Sequence, residues 1–290
     1  MNCVKRLGFE NVAEAALKED TGRGDVTAKL AIPAGLFIDA VIIAKEKGVL
    51  CGLELAKSVF RKKDGSVKFS SGLKDGDIIS KGLVVAKIRG RARSILSSER
   101  VALNFLSFLS GIATRTSAFV RKTRPFKVRI LDTRKTLPGL RQLEKYAVRT
   151  GGAFNHRFSL DEMILIKENH IDIAGWEKIS RAVKNNRGSK IKTEIEARNL
   201  KEFKYALFLK PDIIMLDNMS LRDIREAVRL RNKAAAAAAI AGPKLEASGN
   251  INLANIVSYA ACGIDFISLG TLTKDIDSLD FSLEVKSKRR

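Results

Sequence analysis

In the first part of the chain, Phe37–Ala44, Val67–Phe69, Ile78–Ile79 and Leu83–Ile88 are apolar, partly β-branched stretches cut by Asp-Gly and Lys-Gly turns, a pattern that predicts strands. Between them, helical spacing runs from Leu53 to Lys63, and a short amphipathic helix from Asn11 to Lys18 ends at the Gly/Asp-rich turn Glu19–Asp25. This region reads as a small α+β unit built on antiparallel strands. At Ser97-Ser-Glu-Arg100 the pattern changes. A serine N-cap with an acidic first turn is expected to open a helix whose apolar face carries Ala102, Phe105, Leu106, Leu109, Ile112 and Ala113.

Beyond it, short apolar strands alternate with helical stretches. The predicted strands are 127–132, 152–156, 163–167, 190–196, 212–217, 243–247 and 264–269. Seven strand-then-helix units predict an α/β architecture, a parallel sheet closed into an irregular (β/α) barrel. The doubly wound alternative would want a glycine-rich first turn, which the sequence lacks. The run Ala234–Ala239 reads as the end of a helix. The division expected is 1–108 and 109–274, with the tail 275–290 a candidate to pack on the first domain.

Composition narrows the function classes. With 45% hydrophobic and 29% charged residues the chain is an ordinary globular protein, but 53 basic against 32 acidic residues give a net charge of +21. That excess attracts polyanions in general. Lysines and arginines are spread along the whole length, and aromatics make up only 6%, so specific nucleic-acid binding is not expected. The basic end Lys286–Arg290 reads as a solvated tail. Cys3, Cys51 and Cys262 lack CxxC spacing, which argues against a disulfide frame or a zinc site and suits a reducing cytoplasm. No apolar run approaches the roughly 20 residues of a membrane span, and no secretion pattern opens the chain.

The chemistry concentrates at the predicted strand ends, which in a barrel share one rim. In order they carry Thr133-Arg134-Lys135, His156-Arg157, Lys167 with His170, Glu194 and Glu196, Asp217-Asn218, Ser248-Gly249 and Ser268-Leu-Gly270. Each cation taken singly reads as solvated, Glu196 and Asp217 each as either a site carboxylate or a salt-bridge partner, and each of the two histidines as an ordinary hydrogen-bonded residue. Five successive strands delivering charge to one rim are costly unless a ligand meets the charges. The cations suit a multiply charged anion. Glu196 and Asp217 suit Mg2+, and the turns after Ser248 and Ser268 suit a phosphate held by backbone N–H groups.

With these residues in view, the chain resembles the quinolinate phosphoribosyltransferases. The likeness runs in order through Glu19-Asp-x-Gly-x-Gly-Asp-x-Thr27, Glu99-Arg-x-Ala-Leu-Asn-Phe105, Ser110-Gly-Ile-Ala-Thr114, Thr133-Arg-Lys-Thr136, Asn155-His-Arg157, Lys167-x-Asn-His170, Met215-Leu-Asp-Asn218, Glu246-Ala-Ser-Gly249 and Leu269-Gly270. It implies an N-terminal α/β sandwich and a seven-stranded barrel. It also implies transfer of phosphoribosyl from its pyrophosphate to quinolinate with loss of CO2, giving nicotinate mononucleotide for NAD synthesis, and a homodimer with a shared site. Arg100 matches the arginine that crosses from the partner. Arg134, His156 and Arg157 match the groups at the two quinolinate carboxylates, Lys135 and Lys167 those toward the shared pocket and phosphoribosyl pyrophosphate, and Glu196 and Asp217 the acidic pair at ribose and Mg2+; Thr133 and His170 are further substrate-binding candidates. Ser248, Gly249, Asn250, Ser268 and Gly270 fall on the 5'-phosphate cradle, where Asn250 replaces a common glycine. The catalytic set expected from the resemblance is Lys135, Lys167, Glu196 and Asp217. A paralogue acting on another acid, and a general polyanion binder, are the competing readings.

Overall fold

The computed structural model describes residues 9–239 and 241–289, so Cys3 and Arg290 lie outside the described residues. Its strands are β1 (Phe37–Ala44), β2 (Gly48–Val49), β3 (Lys68–Ser70), β4 (Ile78–Ile79), β5 (Val84–Arg91), β6 (Arg129–Leu131), β7 (Ile164–Ile166), β8 (Thr193–Ala197), β9 (Ile213–Asp217), β10 (Lys244–Ser248), β11 (Phe266–Ser268) and β12 (Phe281–Arg289). The chain separates into two compact units. One contains the residues up to Ser117 with Gln142–Gly152 and the segment from Asp275; the other contains Ala118–Arg141 and Ala153–Lys274.

The first unit carries an antiparallel sheet in the order β12-β1-β5-β3, beside the small pair β2-β4. Along β1, Ile38, Ala40, Ile42 and Ala44 are buried in strict alternation, the period-2 signal legible in the sequence. The basic tail is corrected here. Phe281–Arg289 is an edge strand paired with β1 from Phe281↔Ala44 to Arg289↔Phe37, with its lysines turned to solvent, a device that blunts a sheet edge. Ending the chain at Asp280 would strip this strand and the buried Phe281. Urea melting is expected to show a loss greater than the ~3 kcal/mol of one buried large apolar side chain.

The helix expected to open at Ser97 begins earlier and runs unbroken from Ala92 to Thr123. Its buried phase already includes Ala92 and Ile95, so the apolar stripe continues upstream of the serine. Ser97 is not a cap; its hydroxyl donates to Asp25 Oδ2 at 2.8 Å. Asp25 is the actual N-cap of the helix Val26–Ala31, accepting from the Ala28 N–H at 2.8 Å. Two motifs behind the resemblance are therefore architectural. In Ser110-Gly-Ile-Ala-Thr114, Ser110 Oγ accepts the Cys51 N–H (2.9 Å), Thr114 Oγ1 accepts the Val49 N–H (2.8 Å), and a Cβ on Gly111 would strike the Asp277 carbonyl.

The second unit is a parallel sheet in the order β6-β11-β10-β9-β8-β7. Six predicted strands of the barrel are present. The seventh, 152–156, is reduced to the parallel bridge Leu131↔Phe154, held by Phe154 N–H to Ile130 O (2.9 Å) and Asp132 N–H to Phe154 O (3.1 Å). The bridge stops there because the Asp132 side chain captures the next groups, accepting from Asn155 Nδ2 at 2.5 Å and the His156 N–H at 2.8 Å. The seven segments thus stand in barrel order, irregular at the Phe154 station. Ala234–Ala238 ends the helix Leu221–Ala238, and Ala239 caps it with φ 52°.

Candidate active site

Parallel strands bring their C-terminal ends to one rim, and register decides which side chains share it. Ser248 pairs with Asp217 and with Ser268, and Ser268 pairs with Leu131 directly before Asp132-Thr133-Arg134. Glu194 and Glu196 are two apart on β8, so they point to one face of a fully buried strand.

At the acidic side, Glu196 is buried and its Oε2 accepts from Lys167 Nζ at 3.2 Å. Burial raises its pKa above the ordinary carboxylate value; Lys167 opposes the rise, and Asp217 and Glu168 add to it as like charges. Glu168, Glu196 and Asp217 each offer a carboxylate oxygen within 4.8 Å of one another. Three hard oxygen donors, one raised by its neighbours' charge, match what Mg2+ takes. Lys167 itself precedes the helix Glu168–Asn185, and its N–H donates to His170 Nδ1 at 2.9 Å, which makes His170 an exposed capping residue.

At the cationic side, Arg157 Nη1 donates to the Met163 carbonyl at 2.8 Å, and burial together with the charge of Arg134 lowers its pKa. Arg134 Nε is buried without a hydrogen-bond partner among the described residues. Two guanidinium groups that weaken each other in a partly dry setting await an anion. His156 lies deeper. Its Nε2 is 3.0 Å from Glu194 Oε2 and 3.7 Å from Glu246 Oε2, while Nδ1 accepts the Arg157 N–H at 2.8 Å. Burial drives both Glu194 and Glu246 up to about 8; for Glu194 the charge of Glu196 adds to the rise, and for Glu246 that of Glu194 does.

The small residues close the rim. Thr133 Oγ1 accepts the Lys135 N–H (3.0 Å), Thr273 Oγ1 donates to the Lys135 carbonyl (2.7 Å), and a Cβ on Gly270 would come within 2.9 Å of Lys135 Cδ. Gly249 has φ 93° and lies against the Asn218 amide, where any side chain would collide. Asn250 takes φ 50°, a left-handed conformation that asparagine tolerates, and its Nδ2 donates to Asn218 Oδ1 at 3.0 Å. Where the resemblance leads to a glycine, the chain thus carries the residue next best suited to this backbone. Ser268 is buried below the rim, and Arg100 is an exposed residue of the first unit, on the helix Ala92–Thr123.

The second unit therefore gathers Thr133, Arg134, Lys135, His156, Arg157, Lys167, Glu196, Asp217, Ser248, Gly249, Asn250 and Gly270 in one linked constellation. Three acidic residues escaped the sequence reading of the site. Asp132 organises the His156 segment, Glu168 joins the acidic pair, and Glu246 lies beneath His156. The signal for Glu246 was its parity with Ser248 on one strand.

Comparison with known proteins gives a consistent set of relatives. The family profiles described as quinolinate phosphoribosyl transferase, N-terminal domain and C-terminal domain match residues 25–110 and 112–284. A Methanocaldococcus jannaschii protein described as "Probable nicotinate-nucleotide pyrophosphorylase (carboxylating)" is 40% identical over 94% of this chain and 96% of its own. A Nicotiana glauca "Quinolinate phosphoribosyltransferase (decarboxylating) 1" is 39% identical over 97% of this chain and 83% of its own. The solved nicotinate-nucleotide pyrophosphorylase of Francisella tularensis superposes with a TM-score of 0.87 at 39% identity, covering 96% of each chain.

Proposed function

The chain belongs to the quinolinate phosphoribosyltransferase family, and on that premise we propose that it transfers phosphoribosyl from phosphoribosyl pyrophosphate to quinolinate and decarboxylates the product to nicotinate mononucleotide. The relatives' two descriptions, carboxylating pyrophosphorylase and decarboxylating transferase, name one reaction from its two ends. The observation that carries the reading for this chain is the pairing of two mutually opposed guanidinium groups, Arg134 and Arg157, with an acidic cluster at Glu168, Glu196 and Asp217 across one rim.

Arg134 and Arg157 hold the two carboxylates of quinolinate in forked, charge-assisted contacts and aim the ring nitrogen at the ribose C1. Thr133 and His170 brace the main chains of Lys135 and Lys167. The turn Ser248-Gly249-Asn250, with Gly270 opposite, presents backbone N–H groups to the 5'-phosphate, and Ser268 supports it from below. Glu196 and Asp217 face the ribose as positive charge builds on it, while Lys135 and Lys167 face the departing pyrophosphate. Glu168, Glu196 and Asp217 would hold Mg2+, which when bound neutralises charge building on the leaving group. After the N–C1 bond forms, the ring nitrogen is cationic. The electron pair left when the adjacent carboxylate departs as CO2 stays on that ring carbon, where the neighbouring cationic nitrogen stabilises it until it takes up a proton from solvent. The protein's task is to orient charge.

In this reading the active form is a homodimer in which the partner's Arg100 completes the dicarboxylate pocket; its exposure on the long helix supports that role. Cys51 and Cys262 are free buried thiols, in keeping with a cytoplasmic setting. No helix among the described residues is long and apolar enough to cross a membrane.

Purified protein given quinolinate, phosphoribosyl pyrophosphate and Mg2+ is expected to release nicotinate mononucleotide and CO2 in equal amounts, with no product from nicotinate. Product from nicotinate, or none from either acid in a folded protein, would overturn the assignment.

A further inference from the structure

Beneath the proposed dicarboxylate pocket two buried carboxyl groups share one imidazole. Nε2 of His156 carries a single hydrogen, because Nδ1 is occupied as the acceptor of the Arg157 N–H. That hydrogen goes to Glu194 Oε2 at 3.0 Å; Glu246 Oε2, at 3.7 Å, is beyond hydrogen-bond reach but inside the same cluster. Glu194 Oε1 and both oxygens of Glu246 are buried without a hydrogen-bond partner among the described residues. The two buried carboxyl groups and the imidazole form a floor for the pocket.

We propose that Glu246 is a positioning residue for the quinolinate pocket: packed against the Nε2 edge of His156 beside the Glu194 hydrogen bond, it completes a clamp that keeps the ring seated in the tautomer accepting the Arg157 N–H. This rests on the quinolinate reading above. A floor of two anions would oppose a dianionic substrate and would itself be costly to bury. Burial beside the charge of Glu194 instead keeps Glu246 protonated to about pH 8, so the charges of Arg134 and Arg157 are left for the substrate. The groups facing Glu246 are Glu194 on β8, His156 beyond the Phe154 bridge and the Ser268 hydroxyl on β11; Arg157, Lys167 and Glu196 act on Glu194 in turn. The sign follows. Below the transition Glu246 is neutral and the pocket is at full strength; above it the new negative charge beneath His156 weakens quinolinate binding and leaves phosphoribosyl pyrophosphate untouched.

The test combines kinetics with imidazole 15N NMR, which is simple in a chain with two histidines. Glu246→Ala is expected to raise the quinolinate KM about tenfold, the effect of one misplaced charge-assisted contact, with the phosphoribosyl pyrophosphate KM changed less than about twofold. Glu246→Gln should recover most of that loss at neutral pH and shift the alkaline limb of kcat/KM upward. In the wild type His156 should report the Nε2–H tautomer, and in Glu246→Ala a mixture. An unchanged quinolinate KM in Glu246→Ala, an alkaline limb identical in wild type and Glu246→Gln, or an unchanged His156 spectrum in Glu246→Ala overturns the clamp. Should Glu246→Ala not fold, the Glu246→Gln limb decides. A wild type inert toward quinolinate would instead sink the functional reading, while the His156 spectra still decide the clamp.

Discussion

Arg157→Ala is expected to lower kcat/KM for quinolinate by about a hundredfold to a thousandfold, roughly 3–4 kcal/mol of transition-state stabilisation, through a higher KM and a lower turnover together. The magnitude follows from the setting. Arg157 is partly buried, anchored on the Met163 carbonyl, and pressed by the charge of Arg134, whose Nε has no partner among the described residues. Cations arranged this way lose stability in the empty protein and recover it only when an anion enters, so their binding energy is concentrated on the substrate. Removing one fork also frees quinolinate to tilt, which moves the ring nitrogen off line with C1 and reduces turnover as well as affinity. Arg157→Lys keeps the charge and loses the fork, so it should recover affinity more than turnover. Steady-state kinetics with each substrate varied in turn is the check; unaltered quinolinate constants in Arg157→Ala would remove the dicarboxylate clamp.

Much of this site was legible in the sequence because parallel strands deliver their ends to one rim whatever the helices between them do. Once 190–196 and 212–217 read as strands, Glu196 and Asp217 had to be neighbours, and the structure sets them within 4.8 Å. What escaped has a common cause: it depends on partners distant in the chain. Ser97 looked like an N-cap because serine before an acidic turn is a local signal. The helix overrides it because Ala92 and Ile95 extend the buried stripe. The strand Phe281–Arg289 carries too many lysines for a core strand, but an edge strand can be held by its ladder to β1 while burying little beyond Phe281. Glu246 read as an ordinary acid in Glu-Ala-Ser-Gly. Its burial beneath His156 exists only when β8, β10 and the Phe154 segment are assembled. Asn250 was noted as a departure from glycine, and its φ of 50° supplies the reason the departure is tolerated.

Asp217→Asn is expected to reduce kcat by about a hundredfold to a thousandfold, the range for removing one preorganised electrostatic group from a transition state. The substitution keeps size and keeps an oxygen for the Asn218 Nδ2–H bond, 2.9 Å in the native rim, so the turn carrying Gly249 should persist and the loss isolates charge. With one of three carboxylates neutral, the cluster binds a divalent cation more weakly, and Glu196 is then raised by its burial and by the charge of Glu168 alone, with Lys167 still opposing. The half-saturating Mg2+ concentration should therefore rise alongside the fall in kcat, and Mn2+ binding followed by paramagnetic relaxation should weaken without any turnover being required. Quinolinate affinity, set at the arginine side, should change little. A variant with normal turnover and normal metal dependence would place the cation elsewhere. Weakened quinolinate binding with intact metal response would instead mean that Asp217 acts on the dicarboxylate pocket, and the division of the rim into a cationic and an acidic half would fail.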